Sequence, residues 1–180
     1  MGRIAERDTR PLAVAVLLGA LYGHTEEEIN EVNAPGIAEE RGIQLAETKR
    51  TTARDFADLV RVTVVSGDDR TRVAGTVLGR RNRPHLLEAW GQRFNLQLED
   101  HLAFFLYSDV PGMIGRVGTA FGAHGVNIDA AAVGHVPDST KTEGDRQAVM
   151  VMTTSEAVPA EVIAEIVAGE GFVDGRAISL

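Results

Sequence analysis

Residues 101 to 129 read HLAFFLYSDVPGMIGRVGTAFGAHGVNID, and this stretch decides the fold. It opens as a short apolar strand over 101–107 and turns at Tyr107-Ser108-Asp109-Val110-Pro111-Gly112. A helix rich in small residues follows over 112–124, and Gly125-Val126-Asn127-Ile128 starts the next strand. Ile114, Val117 and Phe121 fall at i, i+3 and i+7, which predicts one apolar helix face. Gly115, Gly118, Ala120 and Gly122 predict a helix backbone lying close against a sheet, and Gly125 a left-handed cap.

Downstream, the alternation of apolar residues predicts strands over 126–136 and 147–154 and a final strand over 172–179. Between the last two, Pro159 opens a helix over 159–168 that buries Val162, Ile163, Ile166 and Val167 and ends at Gly169 to Gly171. The order βαββαβ predicts an antiparallel sheet with both helices on one face, the ferredoxin-like arrangement. Pro137 to Arg146 reads as a long polar hairpin loop.

Upstream, Pro11 fits the first turn of a buried helix over Leu12 to Leu21. Arg3, Arg7 and Arg10 before that run imitate a secretory signal, but Glu6 and Asp8 spoil the imitation, and the run is shorter than the roughly 20 apolar residues that span a bilayer. Thr25 with Glu28 forms a capping-box pattern predicting a helix from Glu26, which Asn33-Ala34-Pro35-Gly36 then breaks. A short helix over Ile37 to Arg41 closes at Gly42. Strands are expected at Ile43 to Thr48, Leu59 to Ser66 and Thr71 to Leu78, the last two joined by a turn at Gly67-Asp68-Asp69-Arg70. A further hairpin is expected from Leu86 to Trp90 and Arg93 to Leu98 about Gly91-Gln92. The chain thus divides into an α+β unit over 1–98 and a second α+β unit over 99–180.

The 180 residues carry a net charge of -8, which disfavours nucleic acid and anionic lipid as partners. Zero cysteines exclude disulfides and thiolate chemistry and fit the cytoplasm. His24, His85, His101, His124 and His135 show no metal-binding spacing, so no metal site is expected. Gly112, Gly115 and Gly118 sit three apart rather than in G-x-G-x-x-G, so they bind no dinucleotide. With no nucleophile motif either, no catalytic residue is assigned.

The turn suits a small zwitterion. Asp109 is either a turn and capping carboxylate or the partner of a ligand ammonium. In the second reading, free N–H groups at Gly112 and Met113 take the ligand carboxylate at the positive end of the helix. Asn127 is either a post-helix turn residue or a donor and acceptor to the same ligand. Tyr107 is packing, or presents its hydroxyl to the ligand. On this reading carboxylate, helix terminus and amide come within reach of one point. Arg80, Arg81 and Arg83, with Arg93 beyond, form a basic cluster that reads first as a solvated loop.

Asp109-Val110-Pro111-Gly112, the helix after it and Gly125-Val126-Asn127-Ile128 resemble the ACT domain, an amino-acid-binding regulatory module. Three upstream runs, Asp8 to Leu12, Val32 to Pro35 with Ala38 to Gly42, and Gly75 to Val77 with Gly79, Arg80 and Pro84, resemble the intervening domain of long D-3-phosphoglycerate dehydrogenases. The resemblance implies a truncated intervening domain, beginning midway at Gly2, followed by a ferredoxin-like ACT domain. It implies L-serine as ligand at an interface between paired ACT domains, with family positions mapping onto Tyr107, Asp109 and Asn127, and hence a homodimer or tetramer. Many relatives carry histidine and asparagine where this chain has Tyr107 and Asp109.

NAD belongs, on this resemblance, to a catalytic region that is separate or missing, and no cofactor is expected in this chain. Arg80, Arg83 and Arg93 are candidates for the second anion site of some relatives. Two other readings stay open: the regulatory subunit of an iron-sulfur L-serine dehydratase, and a dimerisation module without ligand.

Overall fold

The computed structural model describes residues 1–135 and 146–180, so the expected loop from Pro137 lies outside the described residues up to position 145. The chain forms two compact units, Met1–Val62 and Thr63–Leu180.

In the first unit a 3-10 turn, Arg3–Glu6, leads to helix α1, Arg10–Leu21, with Pro11 in its first turn. There the missing proline N–H leaves no intrahelical bond unmade. Helix α2 spans Ala34–Glu40. Leu17 and Leu21 of α1 pack against Ala34, Ile37 and Ala38 of α2, a small core built largely from alanine and leucine.

Three sequence expectations fail here. No helix forms from Glu26, because the Thr25 hydroxyl donates to the Glu27 carbonyl, 2.9 Å, instead of accepting from a helical N–H. Asn33-Ala34-Pro35-Gly36 therefore starts a helix rather than breaking one: Asn33 is the N-cap residue of α2 and Pro35 lies in its first turn. The Asn33 side chain is spent on the preceding loop, accepting from the Asn30 N–H and donating to the Glu28 carbonyl. Ile43 to Thr48 forms no strand and is exposed throughout. Alternation alone does not make a strand when no neighbour supplies a ladder.

The sheet runs β1 (Val60–Ser66), β2 (Asp69–Leu78), β3 (Arg83–Ala89), β4 (Gln92–Gln97), β5 (His101–Ser108), β6 (Ile128–His135), β7 (Gln147–Thr154) and β8 (Phe172–Ser179) in chain order. In space the order is β1-β2-β3-β4-β6-β7-β5-β8. Helices α3 (Met113–Ala123) and α4 (Ala160–Val167) cross between strands as the βαββαβ order requires. The four strands β6-β7-β5-β8 pair antiparallel, and α3 and α4 share one core with them, so residues 101–180 form the α+β, ferredoxin-like unit. The sheet continues without a break past residues 98–99, through the contact of Arg93 on β4 with His135 on β6.

Strand β5 is buried on both faces. Ala103, Phe105 and Tyr107 join Met113, Val117 and Phe121 of α3 and Val162, Ile163 and Ile166 of α4. Leu102 of β5 lies in the opposite core, where Val149 and Val151 of β7 meet Leu86, Ala89 and Leu96 from the β3–β4 hairpin. That hairpin turns at Trp90-Gly91, both at positive φ (47° and 75°), one residue earlier than the sequence suggests, which leaves Gln92 in the strand. The strain at Trp90 is offset by its ring standing edge-on to Phe104, centroids 6.2 Å apart.

The buried face of α3 differs from the expected one. Met113, Val117 and Phe121 point inward at i, i+4 and i+8, while Ile114 is 54% exposed. Gly115, Gly118 and Gly122 do not touch the sheet: a Cβ on any of them would meet nothing within 4 Å. Within the sheet, one close backbone approach that glycine does permit lies at Gly134 on β6. A Cβ there would stand 2.9 Å from the Arg93 carbonyl oxygen and 2.8 Å from the Phe94 ring.

Candidate functional site

Strand β5 ends at Ser108, and backbone bonds hold the turn after it. Ser108 N–H donates to the Gly171 carbonyl (2.7 Å), Asp109 N–H to the Arg146 carbonyl (2.9 Å) and Val110 N–H to Ser108 (2.8 Å). Gly112 is the N-cap residue of α3 with φ 94°, a left-handed conformation that explains glycine there without any packing constraint. The Met113 side chain is buried, so only its backbone N–H is offered at the helix terminus. No acidic residue lies in the first helical turn, and no side chain caps it. Asp109 is exposed, and the capping alternative is therefore not realised among the described residues.

Tyr107 is only 3% exposed, its ring 6.2 Å from that of Phe172 in the helix-side core. Burial, with a smaller contribution from the Asp109 charge, pushes its hydroxyl up to about 12. It stays neutral at physiological pH. Packing and a polar role are compatible here, since a buried aromatic body can still carry a phenol at its rim.

Asn127 lies at the other end of the helix. Its amide nitrogen donates to Asp129 Oδ1 (2.9 Å) and Ser155 Oγ (3.1 Å), and the Ser155 hydroxyl donates to the same Asp129 oxygen (2.8 Å). The 11 residues of α3 place it roughly 16 Å along the axis from Gly112. The strand register agrees: Ile128 pairs with Thr154, whereas Ser108 pairs with Gln147 at the far end of β7. Within one chain, then, Tyr107, Asp109, Gly112 and Met113 come together and Asn127 does not. The expectation of a single point of reach fails because helix and strand lengths separate the two ends of the motif.

The basic candidates also divide. Arg80 sits in the turn before β3 and Arg83 opens that strand, whereas Arg93 pairs with Glu88 at its other end, roughly 17 Å away. Gln92, Asp129, Ser155 and the Arg146 carbonyl were not singled out by sequence reasoning. Gln92 is the most informative, since its buried amide donates to the Gln147 carbonyl (2.8 Å) and accepts from the Val149 N–H (2.9 Å), tying β4 to β7. Only its burial after a short hairpin distinguishes it, and composition carries no sign of that.

A βαββαβ unit with a polar turn at the open N-terminus of its first helix defines an ACT domain, and residues 101–168 match the model of that family. Residues 1–88 match the D-3-phosphoglycerate dehydrogenase intervening domain. The chain is 31% identical over 179 residues to D-3-phosphoglycerate dehydrogenase of Archaeoglobus fulgidus, covering 99% of this chain and 33% of that protein. It is 32% identical to the Mycobacterium leprae enzyme of that name, covering 93% and 31%, and 32% identical to that of Methanocaldococcus jannaschii, covering 92% and 30%. The chain therefore belongs with these proteins as the counterpart of their C-terminal regulatory region, intervening domain followed by ACT domain. It spans about a third of the length of the curated relatives it matches. No described helix is long and apolar enough to cross a membrane.

Proposed function

We propose that this chain is an allosteric regulatory region that binds L-serine between two ACT domains and so adjusts a phosphoglycerate-oxidising, NAD-dependent catalytic region carried elsewhere. One observation carries the reading: the two halves of the polar motif stand at opposite ends of β6. His135 shares a row with Ala148 and Tyr107, at the Asp109 end, while Ile128 lies beside Asn127. The outer edge of β6 pairs in register with β4 at Arg93 opposite His135, where Gly134 also packs against Phe94, and among the described residues no ladder partner is paired with the rest of that edge towards Ile128. If a second copy pairs its own β6 antiparallel along that edge, its Asn127 arrives at the first copy's Asp109 turn. The two-fold symmetry of such a dimer makes two equal sites.

In each site Asp109 takes the ligand ammonium, and the N–H groups at Gly112 and Met113 take its carboxylate at the positive helix end. The partner copy's amide completes the set, and Tyr107 lies beside Asp109 as a neutral donor. Arg80 and Arg83 remain candidates for a separate anion, with Arg93 too distant to join them in one chain.

The test is the response of the melting temperature to amino acids. A ligand selective for the folded dimer stabilises it by about 2.7 kcal/mol at a hundred times its dissociation constant. L-serine is expected to raise the melting temperature and D-serine is not. Asp109→Ala and Asn127→Ala should each abolish the rise, since losing a charge-assisted hydrogen bond costs about 1.5–3 kcal/mol. A strictly monomeric mass with and without serine, or serine binding unchanged in both variants, would sink the proposal.

A further inference from the structure

Two neighbours of Asn127 decide which atom of its amide a ligand can meet. Ser155 follows directly on β7, and its N–H donates to the Asn127 backbone carbonyl at 3.4 Å. Asp129 is the second residue of β6. Ile128 pairs with Thr154 and Ala130 with Thr153, so Asp129 is the extra residue of a β-bulge. A bulge re-aims the side chain it inserts, and this one brings Asp129 to both Asn127 and Ser155.

The three side chains close a triangle. The Asn127 amide nitrogen stands 2.9 Å from Asp129 Oδ1 and 3.1 Å from Ser155 Oγ, and Ser155 Oγ stands 2.8 Å from the same Asp129 oxygen. Only one arrangement of protons satisfies all three contacts. A carboxylate accepts and does not donate, so the single Ser155 hydroxyl proton and one Asn127 N–H both go to Asp129. Ser155 Oγ then has only lone pairs to offer Asn127 and takes its second N–H. With the amide turned over, its oxygen would face a carboxylate oxygen and a hydroxyl whose proton is already used, and two hydrogen bonds would become two repulsions. Both N–H bonds of Asn127 are therefore spent within the chain, while its Oδ1 accepts from no described residue.

We infer that Asp129 and Ser155 are positioning residues of the serine site, holding the Asn127 amide so that it meets the ligand as an acceptor. The inference rests on the two-copy site proposed above and fixes the polarity of the ligand within it. An oriented carbonyl oxygen attracts the ammonium of a zwitterion and has no N–H for its carboxylate. The carboxylate is thus left to the N–H groups of Gly112 and Met113, and the ammonium lies between Asp109 and the Asn127 oxygen of the second copy. Asn127 becomes a reader of charge sign, although an asparagine amide in isolation offers both a donor and an acceptor.

Calorimetric titration of the full chain with L-serine tests this, together with the Asn127 side-chain signal in nitrogen-resolved proton NMR spectra. Asp129→Ala removes the group that holds the amide and should weaken serine about tenfold. Asp129→Asn keeps a carbonyl oxygen in that place without the charge, and its affinity should stay within about threefold of the parent. Ser155→Ala lies outside the strand and leaves the bulge untouched; it should weaken binding by about threefold to fivefold. In the ligand-free protein the Asn127 amide protons should exchange more slowly in the parent and in Asp129→Asn than in Asp129→Ala, a difference that a role in strand geometry alone would not produce. Equal serine affinity in the parent and Asp129→Ala overturns the inference and leaves the serine site standing. So does equal weakening by Asp129→Asn and Asp129→Ala, which assigns the effect to charge instead of orientation. A parent protein that binds no serine removes the site and this inference together.

Discussion

The two units of this chain use apolar residues differently. In Met1–Val62 the core is a two-helix contact of Leu17, Leu21, Ala34, Ile37 and Ala38, and residues 43–50 run exposed without a ladder. In Thr63–Leu180 a strand such as β7 is buried on both faces, with Ala148, Met150 and Met152 under the helices and Val149 and Val151 under the hairpin. Burial on two sides constrains register, because slipping by one residue would exchange the side chains between two differently shaped cores. Where one face or none is buried, local turn chemistry is left to decide, and it decides less firmly.

Deleting a ring from the two-sided region should have the largest effect. Phe121 is fully buried on α3, its ring 6.1 Å from that of Phe105. Phe121→Ala should cost about 3–5 kcal/mol in denaturant unfolding, whereas Ile37→Val in the first unit should cost about 0.5–1.5 kcal/mol. Equal losses would erase the contrast.

Overpacking comes next. Gly134→Ala sets a methyl against the Arg93 carbonyl, which is backbone and yields little, and against Gln92 Cβ at 3.3 Å. A cost of about 1–3 kcal/mol is expected. Amide hydrogen exchange should localise the loss to the β4–β6 contact and to the Val149 N–H that Gln92 holds.

Smaller again is the alkaline limb. Below pH 10 tyrosine is neutral in both folded and unfolded chains, so Tyr107 adds no pH dependence there. Above it the unfolded chain ionises first, because the folded hydroxyl is held up to about 12. Unfolding then releases a proton, and stability falls as pH rises from 10 towards 12, by at most about 2 kcal/mol. Tyr107→Phe should flatten that part of the curve; an unchanged slope would mean the hydroxyl is not buried as described.

The same contrast explains what the sequence revealed. Each element from His101 to Ser179 was legible to within a residue or two, because periods of two and of 3.6 recur between clear breakers such as Pro111-Gly112 and Gly169 to Gly171. Thr25 and Ile43 to Thr48 misled because a capping pattern or an alternation is only an offer. A helix also needs a face to bury, and a strand needs a partner. The site was legible as a motif but not as a place: Asp109 and Asn127 stand 18 positions apart in sequence, and nothing in that spacing reports that a straight helix carries them to opposite ends. Gln92 escaped because its importance comes from burial across the sheet, which no local pattern encodes.

The smallest expected effect separates two meanings of the α3 glycines. In the structure Gly115 and Gly118 point into open space, so in an isolated chain Gly115→Ala and Gly118→Ala have nothing to strike. Glycine within a helix costs about 1 kcal/mol relative to alanine through backbone entropy, and each change should therefore stabilise by up to that amount. The outer side of α3 also carries Ile114, 54% exposed, beside these glycines. If a second copy packs along that side when β6 edges pair, the added methyls will meet its surface. Thermal unfolding at low and high protein concentration distinguishes the cases. A gain of a few degrees at every concentration leaves the glycine side solvent-facing, while a gain that shrinks or reverses as the dimer fills shows that small residues were needed for its approach.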